Sequence, residues 1–321
     1  MKKLSRSGFN KCVKCIEKHS RNLEKTILNT YFFDGDKESV INELKLHQNA
    51  DGGFGHALEP DFQMPKSSPM ASTTALQVIS KLNLEEQCSE MIKKCIGYFE
   101  KTYNEARKGW YAVSKEVNNY HHASWWNYNS EYGMTIIDDN WGNPTAEIIA
   151  YLYKYQEYVQ ELKVEELLAN AIDYLLNKTE FASYYEVYCY IRLYNVLPLS
   201  YQERIKDKLT LAVSEVLCDD ESHWHEFVPY PLRIVKSPTD ESFKIDQCLI
   251  EKNLDFLVDY IEENMMMMPD WQWDDCLEDS RITDWNLAEN IQGWEKAEND
   301  WIGVLTLEVL MVLSAFERIE D

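Results

Sequence analysis

Gln48-Asn49-Ala50-Asp51-Gly52-Gly53-Phe54-Gly55 is the most specific local pattern in this chain. It lies between two segments with helical periodicity, Val40 to His47 and Thr74 to Leu84. Weaker copies occur at Lys108-Gly109-Trp110-Tyr111 and at Glu298-Asn299-Asp300-Trp301-Ile302-Gly303. A pattern that recurs between helical segments indicates a chain built from repeated helical units.

Helical periodicity dominates the rest of the sequence, and strand-like alternation is almost absent. The sequence therefore predicts an all-α fold. Apolar residues recur at steps of three and four in Phe9 to Tyr31, Val40 to His47, Thr74 to Leu84, Cys88 to Tyr103, Pro144 to Val159, Val164 to Leu176, Phe181 to Leu197, Tyr201 to Leu217, Cys248 to Ile261 and Trp301 to Ile319.

The helices fall into pairs with an aromatic segment between the two members. The second member begins with small residues, as in Ala71-Ser72-Thr73-Thr74-Ala75, Asn143-Pro144-Thr145-Ala146 and Gly303-Val304-Leu305-Thr306. Small residues permit close approach of backbones. We therefore expect the second members to form an inner ring and the first members an outer ring.

The octapeptide at Gln48 resembles the Gln-x-x-Asp-Gly-Gly-Phe/Trp-Gly repeat of the terpenoid cyclase and protein prenyltransferase superfamily. This resemblance implies an α/α toroid of about six helical hairpins, here a single domain over 1–321. It also implies that Gln48 and Asp51 cap neighbouring helix ends, that the glycines form the turn and that Phe54 packs between helices.

The sequence departs from the superfamily at the catalytic motifs. Gln272-Trp273-Asp274-Asp275 lacks the first acid of the Asp-x-Asp-Asp motif of squalene-hopene-type cyclases. Asp274-Asp275-Cys276 has the Asp-x-Cys spacing of the prenyltransferase zinc site. The three long connecting segments, 104–143, 221–245 and 267–300, contain few Lys or Arg for a diphosphate.

The charge balance excludes several classes of partner. The chain of 321 residues has 32 Lys+Arg against 55 Asp+Glu, a formal net charge of −23. Such a surface repels phosphate backbones and anionic lipids, so we expect no nucleic-acid partner and no membrane partner. The charged residues near the start of the chain argue against an export signal, and eight scattered cysteines fit a reducing compartment, so we expect a cytoplasmic location.

The connecting segments contain the candidate site residues. Asp274 and Asp275, beside tryptophans, are candidates for acid and base catalysis, since burial and like-charge proximity raise a carboxyl pKa. The predicted wall of a central cavity consists of His56, His121, His122, Trp125, Trp126, Asp138, Asp139, Trp141, His223, Trp224, His225, Trp271 and Trp273. Packing of the tryptophans within the helical core is the alternative interpretation.

Two further patterns bear on metals and thiols. In an extended segment, His223 and His225 face one side, which permits joint ligation of a metal, although hydrogen-bonding roles are the more common use of this spacing. Cys12-Val13-Lys14-Cys15 has no second cysteine pair, which predicts buried or idle thiols. We predict no cofactor, with a divalent metal left open.

Three functions remain open from the sequence. The first is an enzyme or binding protein for a small neutral or cationic ligand in an acidic, Trp-lined central cavity. The second is a carbohydrate-active hydrolase or lyase, which as a hydrolase needs two carboxyls about 5 to 9.5 Å apart. The third is a non-catalytic scaffold. The small-molecule ligand is the one partner we expect, and the oligomeric state stays open.

Overall fold

The computed structural model describes residues 1–320, which form an all-α protein without a β-strand longer than an isolated bridge. This confirms the predicted fold class. The α-helices are α1 Arg6–His19, α2 Asn22–Phe32, α3 Lys37–His47, α4 Pro69–Lys81, α5 Ser89–Thr102, α6 Gly142–Lys154, α7 Val164–Asn177, α8 Tyr184–Val196, α9 Leu199–Val216, α10 Pro231–Ile234, α11 Gln247–Asn264 and α12 Leu287–Ala315. The toroidal arrangement of these helices stays a prediction.

Two predicted boundaries are wrong. The segment predicted as one helix, Phe9 to Tyr31, is broken between α1 and α2 at the buried Ser20, whose backbone is extended. A side chain at Gly303 would collide with the Ser20 side chain, so Ser20, the residue at the break, packs directly against Gly303. The predicted connection 267–300 is also shorter than expected, because α12 begins at Leu287.

The chain folds as two compact units. Unit 1 contains Met1–Val40, Val213–Trp271 and the residues from Glu295 onward. Unit 2 contains Ile41–Ala212 and Gln272–Trp294. The prediction of a single domain over 1–321 would require both units to belong to one arrangement of helices. It stays a prediction.

Helix α6 is the centre of unit 2. It packs against α4, α7 and α8, and every residue from Gly142 to Leu152 is buried. A helix covered on all sides needs apolar or internally bonded side chains around its whole circumference. Helix α4 begins with Ser68, whose hydroxyl accepts a hydrogen bond from the Ala71 N–H, and with Pro69 in its first turn, both favourable at a helix start.

The octapeptide forms the turn that the resemblance implies. Gly52 has φ +97°, and a side chain at Gly52 would collide with the Lys94 carbonyl oxygen of α5. Gln48 donates from Nε2 to the Met91 carbonyl of α5 at 2.9 Å. Asp51 differs from the expectation, because its Oδ1 accepts from the Gly53 N–H at 3.0 Å and the Ser67 hydroxyl at 2.7 Å, both outside helices.

The aromatic segments of unit 2 are attached to the following helices by one kind of hydrogen bond. The N–H of the fully buried Phe54 donates to the Ser72 hydroxyl of α4 at 2.9 Å. The N–H of the fully buried Trp110 donates to the Thr145 hydroxyl of α6 at 3.0 Å. The sequence similarity between Gly53-Phe54 and Gly109-Trp110 therefore corresponds to a shared contact, which we call the helix anchor.

The same anchor occurs within unit 1, where the Met267 N–H donates to the Thr306 hydroxyl of α12 at 2.9 Å. A related bond joins two helices, since the Leu232 N–H of α10 donates to the side-chain amide oxygen of Asn253 in α11 at 3.0 Å. Both acceptor side chains are buried. Because a buried N–H without a partner destabilises the folded state, each anchor fixes where its connecting segment meets the next helix.

We expect Thr145→Val to lower the free energy of unfolding by roughly 1–3 kcal/mol, because the Trp110 N–H loses its partner in a buried site. Thr73→Val is the matched control. Thr73 is equally buried, but its hydroxyl bonds only the Met70 carbonyl one turn earlier in α4. Midpoints of urea denaturation compare the two variants. Equal shifts would show that the anchor adds no stability.

Candidate functional site

A buried carboxylate marks the place where three helices of unit 2 meet. Glu147 of α6 is 2% exposed and lies among polar side chains of α4 and α8. We call this group the Glu147 cluster. Its members are Gln77, Asn143, Glu147, Tyr151, Cys189 and Arg192.

Both oxygens of Glu147 have partners. Oε1 accepts from Gln77 Nε2 at 2.8 Å and from the Tyr151 hydroxyl at 2.9 Å. Oε2 accepts from an Arg192 guanidinium nitrogen at 3.2 Å and lies 3.8 Å from the Cys189 sulfur. The cluster therefore pairs one buried carboxylate with one guanidinium.

Helical spacing produces this convergence. Tyr151 follows Glu147 by four residues on α6, and Arg192 follows Cys189 by three residues on α8, so each pair shares one side of its helix. Gln77 reaches the same point from α4. Removing a charge from water is costly unless it is paired and hydrogen-bonded, and the four donors around Glu147 satisfy that condition.

The neighbours of Glu147 stay protonated at neutral pH. Burial and the nearby carboxylate raise the pKa of Cys189 well above its ordinary value, and burial and the same carboxylate raise the pKa of Tyr151. Because a thiol with a raised pKa is a poor nucleophile, Cys189 serves the cluster as a hydrogen-bond donor. The Cys189 thiol and the Tyr151 hydroxyl both donate to the Glu147 carboxylate.

The Glu147 cluster reaches the surface at Gln77 and Arg192, both partly exposed, and the Arg192 side chain is 34% exposed. Beside it α8 presents the tyrosine patch, which comprises Tyr184, Tyr185 and Tyr188, with ring centroids 4.6 to 6.1 Å apart. Tyr184, Tyr188 and Arg192 follow at steps of four residues, so they share one side of α8.

The structure brings two of the predicted cavity segments together in unit 2. The Ser124 N–H donates to the Trp273 carbonyl at 2.7 Å, which joins the segment containing His121, His122, Trp125 and Trp126 to the segment containing Asp274 and Asp275. The indole N–H of Trp273 donates to Asp61 Oδ1 at 2.8 Å. Trp126 packs edge-on against Phe62 at 5.2 Å.

The tryptophans at this junction are packed in the interior of unit 2. Trp273 is 1% exposed and also contacts Trp294, and Trp126 is buried. Trp125 is partly exposed. These positions agree with the packing interpretation of Trp126 and Trp273, while the use of either ring by a ligand stays a prediction.

His122 is buried and bonded through one ring nitrogen. Its Nδ1 lies 2.7 Å from the Tyr120 carbonyl, so Nδ1 carries the proton, and Nε2 is buried without a partner. Burial lowers the pKa of His122, and the neighbouring His121 lowers it further. His121 is partly exposed, and the exposed His56 is hydrogen-bonded to Asn49 Oδ1 at 3.0 Å.

The predicted acids have structural partners. Asp275 is exposed and caps a turn by accepting from the Gln272 N–H at 2.8 Å, and Asp274 is partly exposed. Asp138 is buried and accepts from the N–H groups of Ala112 and Thr135.

Asp139 and Trp141 also lie in unit 2. Asp139 is exposed and forms an ion pair with Arg281 at 2.6 Å. Trp141 packs against Tyr174 at 4.7 Å, and its indole N–H donates to the Arg107 carbonyl at 2.9 Å. Catalysis by Asp274 or Asp275 stays a prediction.

The remaining predicted residues belong to unit 1. His223 and His225 are exposed, and His223 Nδ1 lies 2.9 Å from Glu226 Oε1. Trp224 is buried against Phe256, and Trp271 is buried against Phe227 and Trp301. Within residues 1–320, no three His, Cys, Asp or Glu side chains are grouped so that they could hold a metal ion, so a site at His223 and His225 stays a prediction.

Sequence reasoning missed Gln77, Glu147 and Arg192. A signal was present, since each is a polar residue within a largely apolar stretch of a helix: Ala75-Leu76-Gln77-Val78-Ile79, Ala146-Glu147-Ile148-Ile149 and Tyr190-Ile191-Arg192-Leu193. A polar residue in an apolar helix must find a partner across a helix interface. Three such helices in one chain therefore point to a shared polar site.

Comparison with protein-family models, curated proteins and solved structures finds no match to this chain. The resemblance to the terpenoid cyclase and prenyltransferase superfamily accordingly rests on the octapeptide and its two weaker copies, and it stays a prediction. No helix in residues 1–320 has the length and apolar character required to cross a membrane.

We expect Glu147→Gln to lower the free energy of unfolding by roughly 1.5–3 kcal/mol, because the charge-assisted bond to Arg192 is lost. The glutamine side chain also places N–H donors where the neighbouring side chains need an acceptor. Glu157→Gln, at an exposed position of unit 2, is the control and should change stability little. Urea denaturation measures both. Matching midpoints for the two variants would argue against a stabilising cluster.

The pH dependence of stability should carry a contribution from His122. Because its pKa is lowered in the folded state, the unfolded chain takes up the proton first, and stability falls as pH drops below about 6.5. His122→Asn, which keeps a donor for the Tyr120 carbonyl, should make that fall shallower. Denaturation midpoints between pH 5 and 8 measure the slope.

His223→Asn is the opposing control. The bond to Glu226 raises the pKa of His223, so this group stabilises the folded state below its unfolded pKa and loses that effect as pH rises. Its removal should steepen the fall toward acid, by a small amount because the pair is exposed. Slopes that change in the same direction for both variants would contradict the assignment.

Proposed function

We propose that this protein binds a small, neutral, polyhydroxylated ligand on unit 2, where the Glu147 cluster reaches the surface beside the tyrosine patch. The observation that carries the proposal is the position of Arg192 and Gln77, which are held by a buried carboxylate and are partly exposed. Small-molecule sites combine apolar or aromatic walls with a few placed polar groups.

Charge supports a neutral ligand. The carboxylate of Glu147 is balanced by Arg192, and its oxygens already accept hydrogen bonds from Gln77 and Tyr151. A cation would find no free carboxylate oxygen there. An anion would compete with Glu147 for the guanidinium. A neutral ligand with hydroxyl groups can bond to the exposed edges of Gln77 and Arg192 without separating them.

The tyrosine patch supports a ligand with a flat apolar face. Tyr185 is 43% exposed, and Tyr184 and Tyr188 are partly exposed beside it. Aromatic rings supply rigid apolar surface, and tyrosine adds a hydroxyl for hydrogen bonding. A sugar or cyclic polyol has both an apolar C–H face and hydroxyl groups, so it matches the two parts of the surface.

The toroidal architecture and the cytoplasmic location belong to the same proposal. The helix anchor at Phe54 and at Trp110 supports a repeat of helical hairpins of the kind found in terpenoid cyclases and prenyltransferases. The composition, with eight dispersed cysteines, supports a reducing compartment.

Calorimetric titration with D-glucose, D-galactose and myo-inositol as neutral probes tests the ligand class, with putrescine as a cationic probe and pyrophosphate as an anionic one. We expect binding of at least one neutral probe and of neither charged one. Binding of a charged probe alone, or of none of the probes, would overturn the proposal.

Tyr185→Ala should weaken binding of the neutral probe roughly 2- to 12-fold, since an aromatic contact contributes about 0.5–1.5 kcal/mol. Tyr132→Ala is the matched control, because Tyr132 is a 59% exposed tyrosine elsewhere in unit 2. Equal affinities for these two variants would show that the ligand does not contact the tyrosine patch.

A further inference from the structure

Unit 1 contains two buried cysteines and a methionine beside one of them, none of which the proposed ligand site uses. Cys12 and Cys15 lie three residues apart on α1, and both are buried. Residues at this spacing share one side of a helix, with Cβ atoms about 5–6 Å apart. The two thiols thus lie close together on the inner side of α1.

A methionine supplies the third sulfur. Helix α11 ends at Asn264, and Met265 adopts a left-handed conformation with φ +65°. The chain turns there, and the Sδ of Met266 lies 3.9 Å from the Cys15 sulfur. The sequence alone does not relate Cys15 to Met266, because 251 residues separate them.

We propose that Cys12, Cys15 and Met266 form a binding site for Cu(I). Thiolate and thioether sulfurs are the soft ligands that select Cu(I) among the common metal ions of proteins. With metal–sulfur bonds of about 2.3 Å, two sulfurs on one trigonal ion lie about 4 Å apart. The separation between Cys15 and Met266 agrees with that span.

The charge balance of the site fits a monovalent ion. Two thiols release two protons when they bind Cu(I), which leaves a complex with one negative charge. Lys11 and Lys14 on α1 flank the thiols in sequence. Glu262 of α11 accepts a hydrogen bond from the Ser5 N–H at the start of α1, so charges of both signs lie near this helix.

Met265 provides a route from the surface. It is 40% exposed, and the next residue, Met266, is partly buried. The exposed thioether of Met265 can take a soft ion from a donor and pass it to the buried thiols. Zinc is less suited, because it prefers four ligands and no histidine or carboxylate completes a metal group here within residues 1–320.

The test is a competition for Cu(I) between the full chain, reduced and kept free of oxygen, and a chromophoric Cu(I) chelator. We expect the protein to retain one equivalent, with an ultraviolet sulfur-to-copper charge-transfer band. Cys15→Ser should lower the affinity by more than the roughly 10- to 100-fold that loss of a second-shell partner costs. Met266→Leu should lower it by about 10-fold, a smaller effect because a thioether is the weaker ligand.

Cys248→Ser and Met268→Leu are the matched controls, since Cys248 is exposed on α11 and Met268, two residues beyond Met266, is 36% exposed. Both should keep the affinity of the unmodified protein. Circular dichroism checks that each variant is folded. Copper binding that is unchanged in Cys15→Ser, abolished in Cys248→Ser, or equal in Met266→Leu and Met268→Leu would overturn the site, as would binding of Zn²⁺ without Cu(I).

Discussion

The helix anchor is the interaction on which the arrangement of the connecting segments depends. A backbone N–H from a segment between helices donates to the hydroxyl of a buried Ser or Thr on the following helix, as Phe54 does to Ser72 and Trp110 to Thr145. A buried N–H needs an acceptor, and so short a side chain can supply one only when the segment lies against the helix. The rings of Phe54 and Trp110 are themselves fully buried, so these contacts also fix apolar surface in the interior of unit 2.

The Glu147 cluster depends on that arrangement. The Thr145 hydroxyl accepts the hydrogen bond from the Trp110 N–H, and Glu147 lies two residues later on α6. The segment that holds the start of α6 therefore also helps to position the buried carboxylate of Glu147. Gln77 and Arg192 then reach it from α4 and α8. Separating the two members of a buried ion pair is costly, so the pair favours an alignment of the helices that keeps Glu147 and Arg192 together.

The two proposed sites differ in the charge of the groups that form them. At Glu147 the charge is balanced within unit 2, which leaves partly exposed polar edges beside the tyrosine patch for a neutral ligand. At Cys15 and Met266 the groups are uncharged sulfurs, and the charge arises only when a metal displaces the thiol protons. Polar recognition and soft-metal binding thus use different elements of the same helical chain.

Periodicity in the sequence predicted the helical class and most helix positions. The resemblance of the octapeptide implied the turn at Gly52, whose positive φ glycine adopts readily, and related Gly53-Phe54 to Gly109-Trp110. Which polar side chains meet depends on the tertiary fold. Gln77, Glu147 and Arg192 are far apart in the chain, as are Cys15 and Met266, and local pattern carries no information about contacts across helix interfaces. Those contacts arise only when buried helices must satisfy their polar groups with one another.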